Sequence, residues 1–297
     1  MLDRDKIRPL LDKTEQGCAK SLAKLLTSIE KIGPSLFSVP ELLKPKKQSF
    51  RLGITGPPGA GKSTLINELI TRYRKQGQSV GVLAVDPSSP LSGGAILGDR
   101  IRYKDHFLDK DVFIRSLGTR GSLGGLCASA YLMLRAYDLF GFDQVIVETV
   151  GVGQSELDIV NVADHISIVL VPESGDSIQM MKAGVLEIAD SFVVNKADRP
   201  GADSLFVQLK SELSYSETDR AKKLFQLSAI ENKGLDEYFD YLKEVCSGDI
   251  NRLSPEALQR EAKAILSTIL VEELSQKTQN ITNLDEYCST IEHFLKK

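Results

Sequence analysis

Short, mostly apolar runs recur through the middle of the chain: FRLGIT, SVGVLAV, VFIRSL, QVIVETV, HISIVLV, SFVVN and KLFQLS. Their length suits strands, and their near-continuous apolarity suits strands buried on both faces. Most are separated by stretches with helical spacing, which predicts a parallel sheet covered by helices on either side. The fold class that follows is α/β, a doubly wound, mostly parallel sheet over roughly residues 49–245. Ahead of it, residues 1–48 predict a helical extension: Ala19, Leu22, Ala23, Leu26 and Ile29 share one helical face, and Gly33-Pro34 ends the pattern. The proline- and lysine-rich SVPELLKPKKQS then reads as a linker into the first strand. Residues 246–297 predict a second helical extension, with Ser254 as cap, Pro255 at the first helical position, and Leu258, Ala262, Ile265 and Ile269 along one face.

Composition changes this picture mainly by exclusion. The 297 residues are 42% hydrophobic and 26% charged, enough for one large core with smaller appendages. A net charge of −3 leaves no electrostatic footprint for nucleic acid or an anionic membrane. No apolar run approaches the ~20 residues of a membrane span, and the opening MLDRDKIRPLLDK is charged rather than basic-then-apolar, so the expected compartment is the cytoplasm. Cys18, Cys127, Cys246 and Cys288 are scattered, with no C-x-x-C pair and no histidine at ligand spacing, and are expected to be plain thiols.

The strongest chemical signal is GPPGAGKST, residues 56–64, between the strand RLGIT and the helix LINELITRY. That is the setting a phosphate-binding P-loop requires. Gly56, Gly59, Ala60 and Gly61 allow successive backbone N–H groups to face phosphates, Lys62 can reach the β- and γ-phosphates, the Ser63 hydroxyl can ligate Mg²⁺, and Thr64 closes the motif. The bland alternative, a glycine-rich turn without ligand, leaves the lysine and serine unexplained. Base choice comes from NKAD, with Asn195, Lys196 and Asp198 at the end of a strand. A carboxylate there accepts both the ring N–H and the exocyclic amine of guanine, while the Lys196 stem covers the base. Adenine has no matching donor pair, and such a site can reject the analogue by as much as ~10⁴-fold. Ser228 and Ala229 in LSAIENKG are placed to close over the base, though alone they would mean little.

The stretch ETVGVGQSE opens with Glu148 where a small GTPase has an aspartate that holds Mg²⁺ through water. Gly151 fits the glycine whose N–H touches the γ-phosphate. Because Glu148 is longer by a methylene, the metal's outer shell is expected to shift to Asp86, which ends VGVLAVD, with Asp99 in PSSPLSGGAILGDR as a second acidic group. The alternatives are an ordinary Asp86-Pro87 turn and an ordinary Asp99-Arg100 surface pair. Gln154 stands three residues after Gly151, so it is not assigned the water-orienting role. Intrinsic hydrolysis is therefore expected near ~10⁻³ s⁻¹, with a partner able to add ~10³- to 10⁵-fold.

Taken together, GPPGAGKST, AVDPSSPLSGGAILGDR, TRGSLGGL, ETVGVGQSE, GDSIQMMKAG and VVNKAD resemble the methylmalonyl-CoA-mutase-associated GTPases of the MeaB/ArgK type. The resemblance implies a G-protein chaperone that binds GTP/GDP and Mg²⁺, docks on an adenosylcobalamin-dependent acyl-CoA mutase, and gates and protects loading of its cofactor. Carried onto this chain it supports Lys62, Ser63, Asp86 and Asp99 around phosphate and metal, Glu148 in the second switch, and Asn195, Lys196 and Asp198 on guanine. It also implies a third switch at residues 174–184, in which Lys182 joins the nucleotide-sensing network and Met180 stands where the family usually has glycine. Lys182 as a plain helix-surface lysine is the alternative. A homodimer through the C-terminal extension is a further implication, against packing of that helix on its own subunit. Rival readings are a P-loop kinase or ATPase linked to basic amino-acid transport, which the NKAD carboxylate opposes, and a metal-insertion GTPase, which the isolated His106, His165 and His293 oppose.

Overall fold

The computed structural model of the chain describes residues 4–43, 48–86, 103–118, 128–149, 159–173, 185–214, 222–248, 255–278 and 289. The apolar runs become the strands β1 (Phe50–Thr55), β2 (Val80–Asp86), β3 (Val112–Gly118), β4 (Gln144–Thr149), β5 (His165–Leu170), β6 (Ser191–Val194) and β7 (Lys223–Gln226). They form one 7-stranded sheet in the order β3-β2-β4-β1-β5-β6-β7, parallel at every pairing. The helices are α1 (Arg4–Glu15), α2 (Ala19–Ile32), the single turn α3 (Pro40–Leu43), α4 (Lys62–Lys75), α5 (Ala128–Phe140), the short α6 (Val185–Ile188), α7 (Ala202–Ser214), α8 (Leu235–Cys246) and α9 (Pro255–Thr278).

Burial explains why the strands were readable as continuous apolar runs. β1, β4, β5 and β6 are buried along their whole length, whereas the edge strands β3 and β7 keep half-exposed positions. Successive residues alternate between two cores, as a pleated strand requires. Leu83, Val85, Val145, Val147, Ile166 and Ile168 face one core, which α5 and α7 cover. Leu52, Ile54, Val80, Val82, Ile146 and Val169 face the other, which α4 and α8 cover.

The N-terminal extension is two helices rather than one, because Gly17 turns the chain with φ +80° between them. Leu22, Leu26 and Ile29 of the predicted face are fully buried, and with Ile7 and Leu11 of α1 they join the same core as α5. The stop at Gly33 is real: its φ is +70° and its N–H donates to the Ile29 carbonyl. A 3-10 turn over residues 33–38 leads into the predicted linker, and the linker departs from expectation at its start, where Pro40–Leu43 wind into α3. The predicted apolar face of α9 is only partly used. Ile265 packs on the core and Glu261 pairs with Arg135 at 2.5 Å, but Leu258 remains 41% exposed. Among the described residues no helix is long and apolar enough to cross a membrane.

Candidate nucleotide site

β1 lies between β4 and β5, and the chain leaves it to build β2, β3 and β4 on one side before it builds β5, β6 and β7 on the other. The loop after β1 therefore opens where the strand order reverses, the place that ligands take in open α/β sheets. Residues 56–61 make that loop and run directly into α4, so their N–H groups gather at the positive end of a helix. Two positions admit only glycine. Gly56 has φ +144° and a Cβ there would stand 2.0 Å from the Val169 carbonyl oxygen, while Gly61 has φ +84° and a Cβ there would stand 2.4 Å from Asn195 Nδ2. Gly59 and Ala60 complete the turn, and Thr64 lies exposed on the first turn of α4. Lys62 is buried, and its ammonium donates to the carbonyls of Gly56 at 2.6 Å and Pro57 at 3.0 Å.

Next to the lysine, Ser63 Oγ donates to Glu148 Oε1 at 2.9 Å, and the Tyr103 hydroxyl donates to Glu148 Oε2. Glu148 is 5% exposed and Tyr103 fully buried. Strand register explains the approach: Glu148 pairs with Ile54 of β1 and with Ala84 of β2, so the carboxylate rises beside the strand that carries the P-loop. Its extra methylene lets it reach the serine itself. Beyond it, Thr149 Oγ1 donates to Thr55 Oγ1 at 2.8 Å and ties the ends of β4 and β1. Asp86 ends β2 opposite Gly118, with Val85 opposite Thr149, so its backbone lies on the same edge. Its side chain, and all of Asp99, Gly151, Met180 and Lys182, lie outside the described residues. Hydroxyl and carboxylate oxygens are the donors that Mg²⁺ takes, so the described groups suit that ion.

At the base end, one buried amide joins three predicted motifs. Asn195 Nδ2 donates to the Ala60 carbonyl at 2.8 Å, and Asn195 Oδ1 accepts from the Ala229 N–H at 3.1 Å. Asn195 therefore clamps the P-loop to the loop of Ser228 and Ala229, leaving the carboxylate of Asp198 exposed. Ser228 Oγ donates to Asp198 Oδ1 at 2.5 Å, and that bond holds the carboxyl below its usual range. Lys196 has φ +58°, a conformation that non-glycine residues rarely adopt away from functional turns. Arg72 of α4 donates to Asp236 Oδ1 at 3.2 Å and to Asn232, anchoring the far side of the same loop. Sequence reading missed Tyr103 and Arg72, because Glu148 and the loop of Asn232 and Asp236 are remote from them in the chain and neither belongs to a recognisable motif.

A family model described as methylmalonyl-CoA mutase-associated GTPase MeaB matches residues 22–283. The chain belongs to the MeaB family. As a MeaB-family P-loop GTPase it binds guanine nucleotide and hydrolyses GTP. It is 42% identical over 276 residues to a Pyrococcus abyssi protein named as a GTPase, covering 89% of this chain and 85% of that one. It is 34% identical over 248 residues to GTPase ArgK of Escherichia coli, covering 80% and 75%. Among solved structures, that of a LAO/AO transport system kinase superposes with a TM-score of 0.71 at 25% identity, over 95% of this MeaB-family chain and 89% of the other.

Proposed function

We propose that this GTPase is a chaperone of an adenosylcobalamin-dependent acyl-CoA mutase, with methylmalonyl-CoA mutase as the first client to try, and that its nucleotide cycle gates loading and protection of the mutase's cofactor. The match of residues 22–283 to a family described as mutase-associated carries the reading. Within it, Lys62 meets the β- and γ-phosphates, Ser63 ligates Mg²⁺ with Asp86 and Asp99 in the metal's outer shell, and Gly151 reads the γ-phosphate. Asp198 takes the guanine edge, Lys196 covers the ring, and Asn195 with Ser228 and Ala229 shapes the pocket. Glu148 and Lys182 carry nucleotide state outward through the second and third switches. Turnover is slow alone because no glutamine directly follows Gly151, and a docked client speeds it. The protein works in the cytoplasm, and the apolar residues that α9 leaves exposed, Leu266 at 65% and Leu270 at 52%, support a homodimer through the C-terminal extension.

The test is GTP and ATP hydrolysis by the purified protein with and without an adenosylcobalamin-dependent mutase from the same cell. GTP-selective turnover that rises at least ~10-fold with the mutase supports the reading. Turnover indifferent to every such mutase overturns the client, and ATP preference overturns the base assignment. The similar solved structure is that of a transport system kinase, which favours a second reading, phosphoryl transfer to an acceptor. The exposed Asp198 carboxylate argues against it, since an adenine ring gives that group nothing to bind. Replacement of Asp86 by Ala should weaken Mg²⁺-dependent GTP binding, and the metal roles are wrong if only Glu148→Ala does so.

A further inference from the structure

Glu148 is gripped at both oxygens. Ser63 holds Oε1 from the first turn of α4, and the Tyr103 phenol holds Oε2 from the segment that precedes β3. That segment is itself fastened to α4 further along the same helix. His106 Nε2 lies 3.2 Å from the Asn67 carbonyl, and Arg74 donates to Asp109 at 2.8 Å and to Asp111 at 2.6 Å. Both groups that orient the carboxylate are thus referenced to one rigid element. A serine hydroxyl has one hydrogen to give and two lone pairs. With its hydrogen committed to Glu148, its oxygen presents only lone pairs, the form in which a hydroxyl binds a hard cation.

We propose that Tyr103 is a positioning residue for the Mg²⁺ end of the nucleotide site: its buried phenol fixes Glu148 so that the Ser63 hydroxyl is held with its oxygen free for the metal. The inference rests on the reading of Ser63 as a Mg²⁺ ligand. It also accounts for glutamate at the head of the second switch, since the group needs its extra reach to stand against the serine while a phenol holds its far side. A tyrosine that merely filled the core would matter through its ring, which belongs to the apolar cluster on the α4 and α8 side of the sheet. The hydroxyl alone separates the two roles.

Tyr103→Phe keeps that ring. The measurement is release of a fluorescent GDP analogue as Mg²⁺ is titrated, together with GDP affinity in excess chelator and the melting temperature. Hydrogen bonds to charged groups are strong enough that the Mg²⁺ concentration for half-maximal slowing of release should rise about 10-fold. GDP affinity in chelator should stay within about 2-fold, because the Tyr103 phenol acts on Glu148, at the metal end of the site. A Glu148→Ala variant should show a similar rise, and the double variant no more than Glu148→Ala alone. An unchanged Mg²⁺ midpoint in Tyr103→Phe overturns the inference, as does an equal loss of GDP affinity in chelator or full additivity in the double variant. If wild-type release ignores Mg²⁺, the metal site itself is wrong. Should Tyr103→Phe not fold, 3-fluorotyrosine at position 103 gives a second readout, and a fluorine resonance unmoved by Mg²⁺ at saturating GDP overturns the proposal.

Discussion

At the scale of single residues, Asp198 is the group whose chemistry is most directly exchangeable. Asp198→Asn converts one acceptor into a donor, so GTP affinity should fall by at least ~10²-fold while a xanthine nucleotide, with a carbonyl in place of the amine, gains. Competition binding of the two nucleotides checks this. A different residue governs acid stability. His165 at the start of β5 is buried, its Nε2 lies 2.9 Å from Ser191 Oγ, and Ser167 links that serine at 2.8 Å to Tyr238 beyond. Burial holds its imidazole below the ordinary value, so the unfolded chain takes up a proton at higher pH than the folded one. Stability is therefore lost as pH falls below about 6.5. His165→Gln should show a smaller drop in urea midpoint between pH 7 and pH 5 than the parent. The places of Lys62, Ser63 and Asp198 at the ends of strands and the start of a helix were legible because short motifs fix local backbone. Tyr103 was not, because its partner lies 45 positions away and no neighbouring residue announces it.

At the scale of elements, strand positions could be read almost to the residue, since a strand buried on both faces leaves an uninterrupted apolar run. Helices were harder. The break at Gly17 was hidden by helix-forming residues on both sides, and the face of α9 was overestimated because Leu258 fits the period yet stays 41% exposed. Leu26 of α2 is fully buried in the core that α5 shares. Leu26→Ala should lower unfolding free energy by ~2–5 kcal/mol, the usual range for a large-to-small core change, measured by urea denaturation. In the P-loop, Gly61→Ala would push a methyl against the Asn195 amide and separate the phosphate loop from the base loop. GDP affinity should then fall at least ~10-fold and the melting temperature should drop as well, because the added methyl meets a buried amide at a left-handed backbone position.

At the scale of the whole molecule, the helices that sequence reading set apart as an extension are part of the main core. Ile7, Leu11, Leu22, Leu25 and Ile29 bury against the layer that covers one face of the sheet. Removal of residues 1–32 should leave that layer exposed to water, and the shortened chain should bind a hydrophobic dye and lose its cooperative unfolding transition. The order of motifs along the chain put the phosphate loop and NKAD after two strands of one parallel sheet, but sequence could not say that Asn195 would fasten the two loops together. That information resides in a tertiary contact between loops 135 positions apart.

Lys62 is buried, and an ammonium shut inside a protein is expensive unless polar groups surround it. Here the loop's own carbonyls, those of Gly56 and Pro57, act as an internal plug for that charge. The charge is pinned to its own loop at two points, so the lysine is a fixed fitting of the loop rather than a swinging arm.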